Sequence, residues 1–265
     1  MTQISPLAYI SSSAKIGNNV HIDAFAYIDE DVVINDGCHI RSNASVLRGV
    51  RMGIDNVVYE GAIVGAEPQD FRWKGQPSLL IIGDNNRIRE QVIINRGARD
   101  GSSTEIGNNT FIMAQTHIGH DSIIGNHCII GNSCKIAGDC SISDFSTLSS
   151  SVIVHEKCKI GEYALIKGGC RVTGYVPPFA VMAYNPISYY GVNDVIMRYY
   201  NFTEEAIDNV AKCYRHIYQC NTSLLNAIRR IKEDVEETPE REAILSFAET
   251  HKNKLAAIRE LDDEE

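Results

Sequence analysis

The segment Gln115-Thr116-His117-Ile118-Gly119-His120-Asp121 puts two imidazoles and a carboxylate in close succession. Imidazole is the side chain that exchanges protons near neutral pH, so His120 is a candidate general base, with Asp121 placed to hold its other ring nitrogen in the tautomer a base needs. The competing reading is a solvated corner histidine with an ordinary acidic neighbour. Eighteen residues further on stands Gly138, and after the same step again Glu156, adjacent to His155; Asp139 follows Asp121 at the same interval. If eighteen residues close one turn of the fold, His120, Gly138 and Glu156 form a column. A base, an unobstructed main-chain N–H able to meet a developing oxyanion, and a carboxylate then lie within roughly 10 Å of one another. His117 is a second candidate for substrate contact, or else part of a surface stack. His21, His39, His127, His216 and His251 have no such company and read as structural.

The element that must position this column is a repeat of six. From Ile4, steps of six reach Ile10, Ile16, Ile22, Ile28, Ile34, Ile40, Val46, Met52, Val58 and Val64. The frame returns at Ile82, Ile88 and Ile94, and again from Ile106 to Val172. Four residues after each aliphatic comes a small or β-branched side chain, such as Ala8, Val20, Thr116 or Ser122, with Asn56 and Asn86 as exceptions. Six matches neither the helical nor the simple strand period, but it suits short strands joined by tight corners. Three such units make a triangular coil, and stacked coils at about 4.8 Å bury the aliphatics in a shaft, giving a parallel β-helix. Sequence periodicity leaves its hand open.

The small slot also holds Cys38, Cys128, Cys134, Cys140, Cys158 and Cys170, which makes packing, rather than metal binding or disulfides, the reading for most cysteines. Residues 65–81 and 95–105 interrupt the frame and read as loops expelled from the solenoid for binding. The repeat stops at Gly174-Tyr175-Val176-Pro177-Pro178. The expected division is 1–186 for the β-helix and 187–265 for a C-terminal helical domain. Its helices are capped by Thr203, Ser223 and Thr238, and an acidic end, Glu260 to Glu265, is expected to fray. A net charge of −9 disfavours a general nucleic-acid binder. No apolar run reaches the length of a membrane span and no secretory signal opens the chain, so a cytoplasmic protein is expected.

The motifs Gly65-Ala66-Glu67-Pro68-Gln69-Asp70-Phe71, Ile82 to Glu90, Asn95-Arg96-Gly97, His117 to Asp121, Ile136 to Asp139, Val176-Pro177-Pro178 and Gly191-Val192-Asn193 carry a resemblance over nearly the whole chain. It is to the UDP-N-acetylglucosamine O-acyltransferases that open lipid A synthesis. That family is built as a left-handed hexapeptide-repeat β-helix and works as a homotrimer. The resemblance implies that His120 is the general base, Asp121 its orienting carboxylate and Gly138 the oxyanion donor. It places Asp70, Arg72, His117, His155, Glu156 and Asn193 at nucleotide-sugar positions.

The resemblance further implies transfer of a 3-hydroxyacyl chain from acyl carrier protein to the sugar 3-hydroxyl, with no metal, no cofactor and no covalent intermediate. Gly168 and Pro186 fall where the family sets chain length, and both are compact, which predicts a long acyl chain. The chain departs from the family's pattern in having Arg72 for lysine, Asp139 for histidine and Glu156 for glutamine. Val195, Tyr199 and Tyr200 stand where a glutamate and two arginines usually complete the uridine-diphosphate clamp. Arg198, Arg171 or Lys167 is then a substitute cation, and Tyr199 or Tyr200 either stacks on uracil or packs within the helices. Arg215, Arg229, Arg230 and Lys232 offer a docking charge for an acidic carrier protein, or are simply solvated.

Rival readings are the sister N-acyltransferase, a zinc enzyme using His117, His120 and His155, and a non-catalytic β-helix. The repeats beginning at Ile4, without a preceding uridine-binding domain, disfavour the first. The columns do not bring the three histidines to one metal, and the His120–Asp121 pair argues against the third.

Overall fold

A computed structural model of the chain describes residues 1–251 and 254–256; the acidic end Glu260 to Glu265 lies outside them. Most hexads form a two-residue strand, such as His117–Ile118 or Lys135–Ile136, whose second residue is buried and whose first faces outward. Among the described residues the strands stack into three sheets of eleven, nine and eight, parallel except for one terminal hairpin. The first face starts at Gln3–Ile4, the second at Tyr9–Ile10 and the third at Lys15–Ile16. Register is one coil per eighteen residues wherever the frame is unbroken, as in His117↔Lys135 and Ile118↔Ile136.

Most corners place one residue in the left-handed region, and non-glycine residues hold it repeatedly, among them Asp121 at φ 56°, Asp139 at 57° and Lys157 at 64°. Such a residue costs conformational energy, which a specific hydrogen bond offsets. At Asp139 and Lys157 the N–H donates to the corner carbonyl one coil earlier, that of His120 at 2.9 Å and that of Gly138 at 3.1 Å.

The shaft is filled by the aliphatics of the repeat, nearly all fully buried. The small slot does more than save space. Thr116 Oγ1 donates to the Gly131 carbonyl at 2.9 Å and Ser122 Oγ to Ala137 at 3.0 Å, while Cys134 and Cys140 point their thiols at Ser149 and His155 carbonyls, each at 3.1 Å. Burial pushes the Cys128 and Cys140 thiols up to about 12, so they remain protonated and unsuited to nucleophilic or metal chemistry at neutral pH. The two exceptions in the slot form a relay. Asn56 Oδ1 accepts from the Asn86 N–H at 2.9 Å, Asn86 Oδ1 accepts from the Thr110 N–H at 2.8 Å, and the Asn56 side-chain amide donates to Gly83 at 2.8 Å. Buried amides thus stay paired where coils of unequal length meet.

Both interruptions emerge at the corner between the second and third faces. Ile63–Ala66 leads into the first and Leu79–Ile82 follows it; Ile93–Asn95 leads into the second and Ser103–Ile106 follows it. Val64 pairs with Ile94 across thirty residues, and Ile94 with Ile118 across twenty-four. The same corner one coil later is Gly119 to Ser122, so both loops lie directly beneath His120.

At the far end, Ala180–Ala183 and Ser188–Val192 make an antiparallel hairpin that straddles residues 186 and 187. Four helices follow among the described residues: α1 (Asp194–Tyr199), α2 (Glu204–Tyr218), α3 (Leu224–Asp234) and α4 (Pro239–Thr250). Thr203, Ser223 and Thr238 cap the last three, each accepting a main-chain N–H at 3.1, 3.3 and 3.2 Å. The α2 helix lies on the hairpin, where Tyr218 stacks on Tyr189 and the buried Tyr214 hydroxyl donates to the Pro178 carbonyl.

Candidate active site

His120 is nearly buried at the loop-bearing corner, and both of its ring nitrogens face carboxylates. Nδ1 lies 2.8 Å from Asp121 Oδ2, and Nε2 lies 3.4 Å from Asp70 Oδ2. Asp121 is held from four sides. Ser102 Oγ donates to Oδ1 at 2.5 Å, the Ala98 N–H donates to Oδ2 at 3.0 Å, Arg99 approaches Oδ1 at 3.6 Å, and the Asp121 N–H donates to Thr104 at 2.8 Å. Burial opposes its charge, but the hydrogen bonds from Ser102, His120 and Ala98 together with the Arg99 cation outweigh it and keep the carboxyl below its ordinary range. An ionised Asp121 takes the Nδ1 proton as a hydrogen bond, which leaves Nε2 with the lone pair.

Gly138 sits on the imidazole. A Cβ added there would lie 2.5 Å from Cε1 and 2.6 Å from Nε2, so any side chain at this position forces the imidazole to move. Its N–H donates to no acceptor among the described residues. Asp70 is clamped by Arg72 through bonds of 3.0, 2.9 and 2.5 Å, and these hydrogen bonds hold its carboxyl well below the usual carboxylate range. The first loop thereby brings a permanently charged, already paired carboxylate to the mouth of the site. His117, on the second face, is paired with Asn95 Oδ1 at 2.7 Å, and burial, then Lys135 and His120, pull it toward the neutral form. Glu156 and His155 are exposed two coils above, and Lys157 binds Glu156 at 3.0 Å, lowering its pKa.

The remaining candidates stand elsewhere on this chain. Asn193, buried at the start of α1, donates to the Tyr163 carbonyl at 2.8 Å, at the corner between the third and first faces. That corner carries an aromatic column of His127, Phe145, Tyr163 and Phe179. Tyr200 packs edge-on against Phe145 and Tyr163, so packing is the reading that holds for it, whereas Tyr199 is 74% exposed. Arg198 is bound by Asp194 at 2.5 Å and Glu204 at 2.8 Å. Gly168 lies at the third corner, between the first and second faces, beside a cavity of about 390 Å³ that Ala183, Tyr184 and Asn185, the residues before Pro186, also line. The single chain therefore does not bring Asn193, Arg198, Gly168 or Pro186 to His120.

Sequence reasoning quoted Asn95 within a motif without giving it a role, and it missed Ala98, Arg99, Ser102 and Thr104. The only available signal was that the second interruption must land at the corner of His120, one coil below.

A shaft of hexapeptide coils with a histidine–aspartate pair under a bare glycine, and two loops leaving at that corner, defines the chain as an acyltransferase of the hexapeptide-repeat β-helix class. The model of bacterial transferase hexapeptides matches residues 13–48 and 103–138, and that of UDP-N-acetylglucosamine O-acyltransferase, domain 2, matches residues 176–256. An acyl-[acyl-carrier-protein]--UDP-N-acetylglucosamine O-acyltransferase of Xylella fastidiosa is 36% identical, covering 95% of this chain and 97% of its own. A UDP-N-acetylglucosamine acyltransferase from Bacteroides fragilis superposes with a TM-score of 0.93 at 43% identity, covering 97% of this chain and 100% of its own. One from Francisella novicida gives 0.92 at 31% identity, over 98% and 95%. The chain belongs to the UDP-N-acetylglucosamine O-acyltransferase family, with its left-handed parallel β-helix and C-terminal helical region.

Proposed function

We propose that this protein moves a (3R)-3-hydroxyacyl chain from acyl carrier protein to the 3-hydroxyl of UDP-N-acetylglucosamine, the first step of lipid A biosynthesis, in the cytoplasm. The observation that carries the reading is the His120 ring, bonded at Nδ1 to the buried Asp121 and covered by Gly138.

In this reading Nε2 removes the proton of the sugar 3-hydroxyl as its oxygen attacks the thioester carbonyl carbon. Asp121 stabilises the imidazolium that forms. The Gly138 N–H donates to the oxyanion. Collapse breaks the C–S bond, the new ester C–O bond remains, and the departing thiolate takes the proton back from Nε2. No metal or other cofactor enters this scheme. Asp70 and Arg72 at the mouth, with His117, Glu156 and His155 above and beside it, contact the sugar and its diphosphate.

Asn193, Arg198, Gly168 and Pro186 sit on other corners, so they serve a neighbouring copy's His120, which a homotrimer permits by symmetry. The direct test is an assay of the purified protein with UDP-N-acetylglucosamine and acyl carrier protein thioesters, read by product mass. The expected product is the 3-O-acyl sugar nucleotide, with turnover of His120→Ala lower by about 10²–10⁴. An N-linked product, or undiminished turnover in the variant, contradicts the proposal.

A further inference from the structure

We propose that Arg99, tethered by Asp139, is a positioning residue for the base: it holds the Asp121 carboxylate from the solvent side and moderates that carboxylate's pull on His120. The inference rests on the acyl-transfer reading of the same site, and it starts from how Arg99 is held. Its main-chain N–H donates to Ser102 Oγ at 3.0 Å, and Ser102 in turn donates to Asp121 Oδ1. Its guanidinium bonds to Asp139 Oδ1 and lies 3.6 Å from Asp121 Oδ1. Backbone and side chain thus reach the same carboxylate oxygen by two routes. The loop is fixed at the preceding residue, where Gln76 donates to the Ala98 carbonyl at 2.6 Å.

The charges at this corner make the arrangement consequential. Asp70 has Arg72, and Glu156 has Lys157. Asp121 and Asp139, with side chains 4% and 13% exposed, share the Arg99 cation. The second oxygen of Asp139 is buried and has no hydrogen-bond partner among the described residues. The Arg99 guanidinium thus bridges two screened carboxylates while its own side chain stays 58% exposed. The charged and titratable groups around the imidazole are therefore Asp121 on its own corner, Asp70 and Arg72 from the first loop, and Arg99 from the second. Asp139 lies on the coil above, Glu156 with Lys157 on the next, and His117 with Lys135 on the second face.

The signs follow from like and unlike charge. A cation at Arg99 disfavours the imidazolium, and an anion at Asp139 favours it. Removing Arg99 should raise the acid limb of the pH profile of kcat/KM, and removing Asp139 should lower it. The experiment measures that profile for Arg99→Gln, Asp139→Asn and the double variant, and follows the His120 ring directly by nitrogen NMR titration of the substrate-free protein. The expected result is shifts of opposite sign in the two single variants, with the double variant near wild type. Arg99→Lys keeps the cation and should restore most of the limb. Arg99→Met, of similar length, takes the place of Arg99→Gln if that variant does not fold. An unmoved limb with a raised KM makes Arg99 a substrate contact and overturns the proposal, as do shifts of the same sign. Because the NMR titration needs no turnover, absence of acyl transfer is separable from failure of this inference.

Discussion

The most discriminating perturbation is a single methyl group. Gly138 does not occupy the left-handed region, so alanine there suffers no backbone strain, and any loss must come from what its Cβ touches. That atom would stand 2.5 Å from Cε1, 2.6 Å from Nε2 and 3.0 Å from Nδ1 of His120. Carbon contacts are comfortable at about 3.5–4.0 Å, so the ring must retreat by about 1 Å. Asp121 cannot follow, being held by Ser102, Ala98 and Thr104, so the 2.8 Å bond to Nδ1 is stretched or bent. A displacement of about 1 Å at a reacting group costs roughly 100-fold in rate, and local overpacking costs about 1–3 kcal/mol of stability. Gly138→Ala should therefore remain folded with kcat lowered about 100-fold in the acyl-transfer assay. Gly191→Ala, whose Cβ meets nothing within 4 Å, should behave as wild type. If kcat of Gly138→Ala stays within about threefold of wild type, the close stacking of glycine on the base is not what the reaction depends on.

Three further outcomes are expected. Mixing His120→Ala chains with Asn193→Ala chains by refolding should return about a quarter of the wild-type activity, because a neighbour supplies what each lacks; no recovery would mean that each protomer works alone. Donors carrying long hydroxyacyl chains should turn over faster than the ten-carbon donor, since only Ser150 O and Ser149 Cβ lie within 4 Å of a Cβ built at Gly168; Gly168→Leu should reverse the preference, and fastest turnover with the ten-carbon donor by the wild type contradicts the expectation. Asp121, with its folded pKa depressed, contributes stability that is present above the ordinary aspartate pKa and lost as pH falls below it. The urea midpoint of wild type minus that of Asp121→Asn should accordingly shrink as pH is lowered from about 5 to 3, and a difference that stays constant refutes the assignment.

Much of this architecture was legible because a hexad repeat is a statement about geometry. Ile118, Ile136 and Val154 line one edge of the shaft, and the same arithmetic stacks His120 beneath Gly138. Corner chemistry was less legible. Asp121 and Asp139 hold left-handed corners that the sequence marks no differently from Phe145 or Tyr163, which hold the same geometry. The loops were visible as interruptions, but periodicity says nothing about residues that leave the lattice, and Ser102 and Arg99 were invisible for that reason. Residues on three separate corners share no short spacing at all, which is why Asn193 and Gly168 entered through family resemblance rather than through the column.

The unequal coils have one more implication. The coil that carries the first loop is twelve residues longer than an ordinary eighteen-residue coil and the next one six longer, while the aliphatic phase above and below is unchanged. Contacts in a solenoid run between adjacent layers, so material spliced in at a vertex is felt only by the layers that touch it. The reactive corner is in this sense an attachment to a load that other layers bear. New specificity can be written there by lengthening or rewriting two excursions, and the rungs beneath have no means of registering the change.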